Sequence, residues 1–412
     1  MSGNLLIKNI GLLQTAVGNQ KHCGKAQGKN IKLKDAAVLI ENGIIKEITS
    51  DGKLPERADS AGLIMDAEGN LVTPGLIDAH THLVFGGYRQ HEIPLKLKGA
   101  SYVDILKAGG GILDTLKKTR EAGFDELYEK SMGFLDEMLA LGVTTCEAKS
   151  GYGLDFENEI KQLEIIQKLT DDHPMDIVPT YMGAHAIPDE YKANPDEYID
   201  MICGEAIPYI AQNNLAEFCD VFCENSAFSV EQSRRVLISA KKYDLKLKIH
   251  ADEIEAIGGS QLAGEFSADS AEHLIAVNTA GMEAIAKSGT SAVLLPGTSF
   301  YLDKPYAPAR EMIKLGIPVT LATDFNPGSC PSLNLQLIIN MGYLKYKMTP
   351  EEILTAVTIN AACAIGRGSV LGTLEKGKQG DLVIWDAKDF EMLCYRFGSN
   401  LALQVIKKGE LV

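Results

Sequence analysis

The chain has 412 residues, 45% of them hydrophobic and 23% charged, enough apolar sequence for one large folded unit plus a smaller one and too much for a disordered chain. A formal charge of −15 excludes the basic surface that nucleic acid requires, and means that an anionic ligand needs a local cationic clamp. No secretory signal or membrane span is evident, and eight scattered cysteines form no disulfide framework, so a reduced, cytoplasmic setting without nucleic-acid or membrane partners is expected.

In chain order, residues 1–70 read as short strands and turns. Ala37–Glu41 and Ile44–Ile48 flank Asn42-Gly43, a two-residue hairpin signal. Strand candidates follow at Leu71–Asp78, Val143–Glu147, Ile177–Tyr181, Phe218–Cys223, Leu245–Ile249, Ser270–Ala271, Ala292–Leu295 and Val319–Ala322. Ser270–Ala271 is weak by pattern. Cys219 and Cys223 read as buried thiols rather than ligands or a bridge. Helical periodicity marks Glu121–Leu141, Asn158–Leu169, Ser229–Tyr243 and Ala280–Lys287. Ala108–Gly111 lacks both a preceding strand and a Lys-Ser/Thr partner, so it reads as a loop near the mouth rather than a phosphate cradle. Asp381–Trp385 and Ala402–Ile406 close the chain as strands. The alternation predicts an α/β fold: a (β/α)8 TIM-type barrel over 71–374, with a small β-sandwich formed by both termini, 1–70 plus 375–412. A doubly wound sheet is disfavoured because no Gly-rich fingerprint follows the first strand.

Of the eight histidines, five (His80, His82, His185, His250 and His273) fall at or just beyond strand C-termini, where barrel active sites are built. His80 and His82 are two apart, so on an extended strand both imidazoles reach one side. With His250 and Asp324 at later strand ends they make three imidazoles and a carboxylate, a donor set suited to Zn²⁺, Fe²⁺ or Mn²⁺. An ion held this way activates water for attack on a carbonyl carbon. Glu253, His273 and Asp324 are then the candidates for moving protons. Glu224 ends the fourth strand and reads as a polar rim residue, with a second metal site as the alternative. Lys149 follows the second strand, out of place for a bridging lysine.

These motifs carry a resemblance. DAHTHLVFGGYR, KSGYGLD, TYMGAHAIPDEY, KIHADE, AEHL, LPGTSFYL and LATDFNPGS, in this order between about Leu71 and Ser332, resemble the imidazolonepropionases of the amidohydrolase superfamily. The resemblance implies metal-dependent hydrolysis of 4-imidazolone-5-propanoate to N-formimidoyl-L-glutamate in histidine degradation, with one Zn²⁺ or Fe ion on His80, His82, His250 and Asp324. It also implies that Arg89 holds the propionate of this small anionic heterocyclic substrate, a role that a bidentate guanidinium fits. Tyr152, His185, Glu253, Asn326, Gly328 and Ser329 match substrate- or product-binding positions; read alone, they serve equally as loop-packing and turn residues. Two alternatives stand beside this reading: a hydrolase or deaminase acting on another heterocycle, and a metal-binding barrel without catalysis. A homodimer is expected on base rate alone.

Overall fold

The structure, a computed structural model, describes residues 4–99 and 110–412. Ala108 and Gly109 of the glycine run lie outside the described residues, whereas Gly111 starts the helix Ile112–Glu121. Strands β1 (Leu5–Thr15), β2 (Ile31–Glu41) and β3 (Ile44–Thr49) form an antiparallel meander. At its β2–β3 turn, Asn42 (φ 52°) and Gly43 (φ 76°) take the left-handed pair that a two-residue hairpin needs. β4 (Leu63–Asp66) and β5 (Leu71–Pro74) both pair in parallel with β1, at opposite ends of it.

The strand expected over Leu71–Asp78 is therefore two. Leu71–Pro74 belongs to the terminal sheet, and β6 (Leu76–Asp78) opens the barrel. The break falls at Gly75, where a Cβ would stand 2.3 Å from Thr144 Oγ1. After β6 come β7 (Val143–Lys149), β8 (Asp176–Ala184), β9 (Phe218–Cys223), β10 (Lys246–Ala251), β11 (Ser270–His273), β12 (Ser291–Leu294) and β13 (Val319–Leu321), parallel and in sequence order. The ring closes just past β6 and β13. Asp324 N–H donates to His80 O at 3.0 Å, and His82 N–H donates to Phe325 O at 2.9 Å. Closure thus brings the two ends of the motif-bearing chain side by side.

β14 (Leu382–Trp385), β15 (Ala402–Lys407) and β16 (Glu410–Leu411) complete the terminal sheet, β14 lying antiparallel to β5. The two ends of that sheet meet, Ile45 N–H donating to Lys378 O and Gly377 N–H to Ile45 O, both at 2.8 Å. The sheet so curls around a core of Ile7, Ile10, Val38, Ile40, Val72 and Ile384. Lys407 ties the two units together, its Nζ lying 2.7 Å from Asp176 Oδ2 at the start of β8 and 2.6 Å from Asp381 Oδ2.

The period-2 pattern of β10 explains the barrel wall. Leu247, Ile249 and Ala251 face the helical layer in the main core, while Lys248 and His250 alternate to the inside. The lower interior is apolar: Ile77, Val178, Phe218 and Val293 pack with Ala361 and Ile365 at the helix Ile359–Ala364. The helical run expected over Glu121–Leu141 is cut at Ala122-Gly123, leaving Phe124–Ala140. The others hold within a few residues: Phe156–Asp172, capped by Asp155; Val230–Lys242, with a Ser229–Gln232 capping box; and Thr279–Ser288, capped by Asn278. No described helix is long and apolar enough to cross a membrane.

Candidate active site

Four imidazoles and a carboxylate converge at the barrel mouth. His80 and His82 follow β6, His250 lies in β10, His273 ends β11, and Asp324 follows β13. All five are buried. Asp324 Oδ1 lies 3.4 Å from His80 Nε2 and 3.6 Å from His82 Nε2. The ring centroids of His80 and His250 are 4.6 Å apart, and those of His250 and His273 are 5.1 Å apart. Ligating atoms within 4.8 Å of one another fall into two overlapping groups, His80–His82–His250 and His80–His273–Asp324. His80 is common to both. His273 therefore stands as close to this centre as the carboxylate does.

The donor chemistry fits a divalent cation. Burial, with neighbouring cationic groups, pushes every imidazole here below the ordinary histidine value, leaving neutral rings with a free lone pair. His80 Nε2 and His250 Nε2 are buried with no hydrogen-bond partner among the described residues. Such orphaned acceptors are costly in a folded protein unless something occupies the space between them. Burial likewise pushes Asp324 up to about 6 against the pull of His273 and its hydrogen bonds; a bound cation reverses that push. Thr298 donates to Asp324 Oδ2 and holds the carboxylate in place. Both His273 (φ 69°) and Asp324 (φ 56°) adopt left-handed backbone, a strain of about 1–3 kcal/mol each that concentrates at functional sites.

The rim is built from three loops. After β7, Gly151-Tyr152-Gly153 is drawn in by Glu159, whose Oε1 accepts from the N–H groups of Gly151, Gly153 and Leu154 at 2.8–3.2 Å. Tyr152 is buried, 5.7 Å from the His82 ring and 5.4 Å from His185. His185 follows β8, sits 2.9 Å from Gly151 O through Nδ1, and stacks on His82 at 4.9 Å and 15°. After β13, Asn326 Oδ1 accepts from the N–H groups of Gly328 (2.8 Å) and Ser329 (2.7 Å), folding Phe325–Ser329 into a tight turn. The Arg89 guanidinium lies directly on Gly328, so that a Cβ there would stand 2.5 Å from Nη1. Arg89 Nε is held 3.1 Å from Glu92 Oε1.

Glu253 faces His273, Oε2 lying 3.6 Å from Nε2. Burial and then the charge of Glu224 push Glu253 up to about 7, which places a proton donor or acceptor near neutrality beside the imidazoles. Glu224 itself turns away from the imidazoles: Oε2 accepts from the N–H groups of Ile254 (2.9 Å) and Glu255 (3.2 Å) and Oε1 from that of Asn225. Cys219 and Cys223 are buried free thiols. The five strand-end histidines, Asp324, Arg89, Tyr152, Glu253, Asn326, Gly328 and Ser329 thus lie around one mouth, whereas Cys219 and Cys223 pack in the main core.

Several residues there were not singled out. Glu147, Asp220, Lys248 and Glu272 are fully buried inside the barrel, and Lys149 joins them rather than any metal. For Asp220 and Lys248 a signal was available in principle, since each is a charge set at strand period between apolar residues, Lys248 two before His250; Glu272, in the polar Ser270–His273, offered none.

A closed parallel barrel with buried imidazoles and a carboxylate at its C-terminal rim defines a metal-hydrolase architecture. The amidohydrolase family profile matches residues 71–412. The imidazolonepropionase of Thermoanaerobacter pseudethanolicus is 51% identical over 411 residues, covering 100% of this chain and 98% of that protein. That of Alkaliphilus metalliredigens is 49% identical, again over 100% and 98%. The atrazine chlorohydrolase of Arthrobacter aurescens TC1, solved complexed with zinc, superposes with a TM-score of 0.71 over 99% of this chain and 94% of that one, at 18% identity. The chain belongs to the imidazolonepropionases of the amidohydrolase family.

Proposed function

We propose that the chain hydrolyses the ring amide of 4-imidazolone-5-propanoate to N-formimidoyl-L-glutamate, the third step of histidine degradation, with one divalent ion, Zn²⁺ or Fe²⁺, per subunit. The observation that carries the reading is 51% identity to an imidazolonepropionase along the whole chain. The unpartnered Nε2 atoms of His80 and His250 support the ion, as does the zinc in the solved chlorohydrolase of like fold.

His80, His82, His250 and Asp324 would hold the ion. What it supplies when bound is Lewis-acid polarisation of the ring carbonyl and a lowered pKa for water. The remaining work falls to side chains. The Nη1 and Nη2 fork of Arg89 grips the propionate, offsetting the repulsion expected from a net charge of −15. Tyr152 and His185 present flat faces against the heterocycle, and the burial of Tyr152 excludes water beside it. The turn organised by Asn326 sets Gly328 and Ser329 under the substrate carboxylate. Glu253 and Asp324 take up the water proton, and His273, beside both, passes a proton to the leaving ring nitrogen. A cytoplasmic enzyme fits eight unpaired thiols. A homodimer rests on base rate.

The test is a spectrophotometric assay of imidazolone consumption on purified protein, with metal analysis of the same sample. Turnover that vanishes on chelation and returns with Zn²⁺ or Fe²⁺ is expected. A folded, metal-loaded protein without turnover sinks the substrate assignment.

A further inference from the structure

Beneath the imidazoles, five ionisable side chains have no solvent exposure: Glu147 and Lys149 on β7, Asp220 on β9, Lys248 on β10 and Glu272 on β11. They form one chain of ion pairs. Lys149 Nζ lies 2.8 Å from Asp220 Oδ2 and 2.9 Å from Glu147 Oε2. Lys248 Nζ lies 3.1 Å from Glu147 Oε1 and 3.8 Å from Glu272 Oε1. Buried ion pairs of this kind contribute little net stability, because desolvation offsets their attraction, and an apolar interior would fold at least as well. The layer just below is apolar, so the barrel itself does not require charge.

Where the chain of pairs ends is informative. Glu272 Oε2 lies 2.8 Å from His80 Nδ1, and the Ser270 hydroxyl donates to its other oxygen. Asp220 Oδ2 lies 3.0 Å from His250 Nδ1, and its Oδ1 accepts the His250 backbone N–H at 3.2 Å. A neutral imidazole carries one N–H and one lone pair, and a carboxylate can only accept. An acceptor facing Nδ1 therefore draws the N–H there and leaves the lone pair on Nε2. In both rings Nε2 has no hydrogen-bond partner among the described residues and turns toward the centre of the site; at Nδ1 His80 is hydrogen-bonded to Glu272, whereas His250 meets Asp220 as a close ion-pair contact. His82 differs, for among the described residues its carboxylate contact is at Nε2 and none faces its Nδ1.

We propose that Glu272 and Asp220 are positioning residues that lock His80 and His250 as Nδ1–H tautomers with Nε2 presented to a divalent cation, and that Lys248 and Lys149 hold these carboxylates in place. The inference rests on the metal reading above. It makes the buried pairs an orienting frame: β7 contributes two links and β9, β10 and β11 one each, so the two ring orientations are set by the barrel wall and not by the rim loops.

The experiment uses the full chain, ¹⁵N-labelled at histidine and stripped of metal. Ring-nitrogen spectra report the tautomer of each histidine, and competition with a chromophoric chelator gives the Zn²⁺ affinity. Glu272→Gln is expected to change the His80 ring signals alone and Asp220→Asn those of His250 alone, because an amide can donate to Nδ1 and permit the wrong tautomer. Each should weaken Zn²⁺ binding about 10–100-fold. Ser270→Ala removes a hydrogen bond and no charge, so it keeps the test alive if Glu272→Gln fails to fold; it should weaken Zn²⁺ less, in the same direction. Folded variants with unchanged ring spectra, or with Zn²⁺ affinity within about twofold of the parent, overturn the inference. A parent that binds no Zn²⁺ overturns the metal reading with it, whereas a parent that binds while every variant matches it overturns the positioning role alone.

Discussion

Gly328→Ala separates recognition of the substrate carboxylate from everything else at the site. Gly328 is not in left-handed backbone, so the new methyl meets no torsional strain of its own. It does meet Arg89, with Nη1 at 2.5 Å, Cζ at 2.7 Å and Nη2 at 2.8 Å. Ordinary contact begins at 3.4 Å, so the guanidinium must retreat by about 0.9 Å. The end of an arginine moves readily, and stability should hardly change. Arg89 Nε is pinned 3.1 Å from Glu92 Oε1, however, so the retreat swings the fork away from its trained direction. A misplacement near 1 Å costs up to about 100-fold, and KM for the imidazolone propionate should rise about 10–100-fold, equivalent to about 1.4–2.8 kcal/mol. Steady-state kinetics on the propionate substrate and on a ring analogue lacking the carboxylate make the assay, with a thermal melt as control. The analogue should be processed equally by both proteins. An unchanged KM for the propionate at an unchanged melting temperature, or an equal loss on the analogue, would refute the clamp geometry.

Arg89→Ala should go further, raising KM by the loss of about 3 kcal/mol of charge-assisted hydrogen bonding while metal content by mass spectrometry stays at the parent level. Chelation should abolish turnover and lower the melting temperature, and titrating Zn²⁺ back at about 100 times Kd should restore about 2.7 kcal/mol; a melt insensitive to metal would count against a structural ion in the folded site. Glu253 is raised by burial to about 7, so its carboxylate form, and with it a base-dependent rate, should appear as pH climbs through about 7. Glu253→Gln should remove that limb from the pH–rate profile, and an active variant with the parent profile would exclude Glu253 as the base. Burial alone would raise Asp176, but Lys407, Lys408 and Gln379 prevail and bring it down to about 2. The depressed value means that its stabilisation is complete above the unfolded value of 3.8 and is lost as pH falls through about 2. At about 1.4 kcal/mol per pH unit this is worth about 2 kcal/mol, so Asp176→Asn should lower stability at pH 7 by that order and flatten the acid limb of a denaturation series.

How much of this was legible in the chain follows from the range of each interaction. The Asn42-Gly43 hairpin, the cap-bounded helices and the alternation of β10 are set by neighbours within a few residues, and local sequence determined them. The strand-end histidines were legible for the same reason: an apolar run that stops at a polar imidazole records where a buried strand meets the mouth. The division of Leu71–Asp78 was not, because Leu71–Pro74 is claimed by pairing with β1 and β14, and β14 lies some 300 residues away in sequence. β11 escaped its pattern because its polar Ser270 and Glu272 face a charged interior that exists only once β7, β9 and β10 are assembled. The same holds for Asp220 and Glu272 behind the imidazoles. A charge in an apolar run tells from sequence only that it must find a partner. Which imidazole it faces, and therefore which nitrogen that ring presents, is decided by strand order and register around the closed barrel.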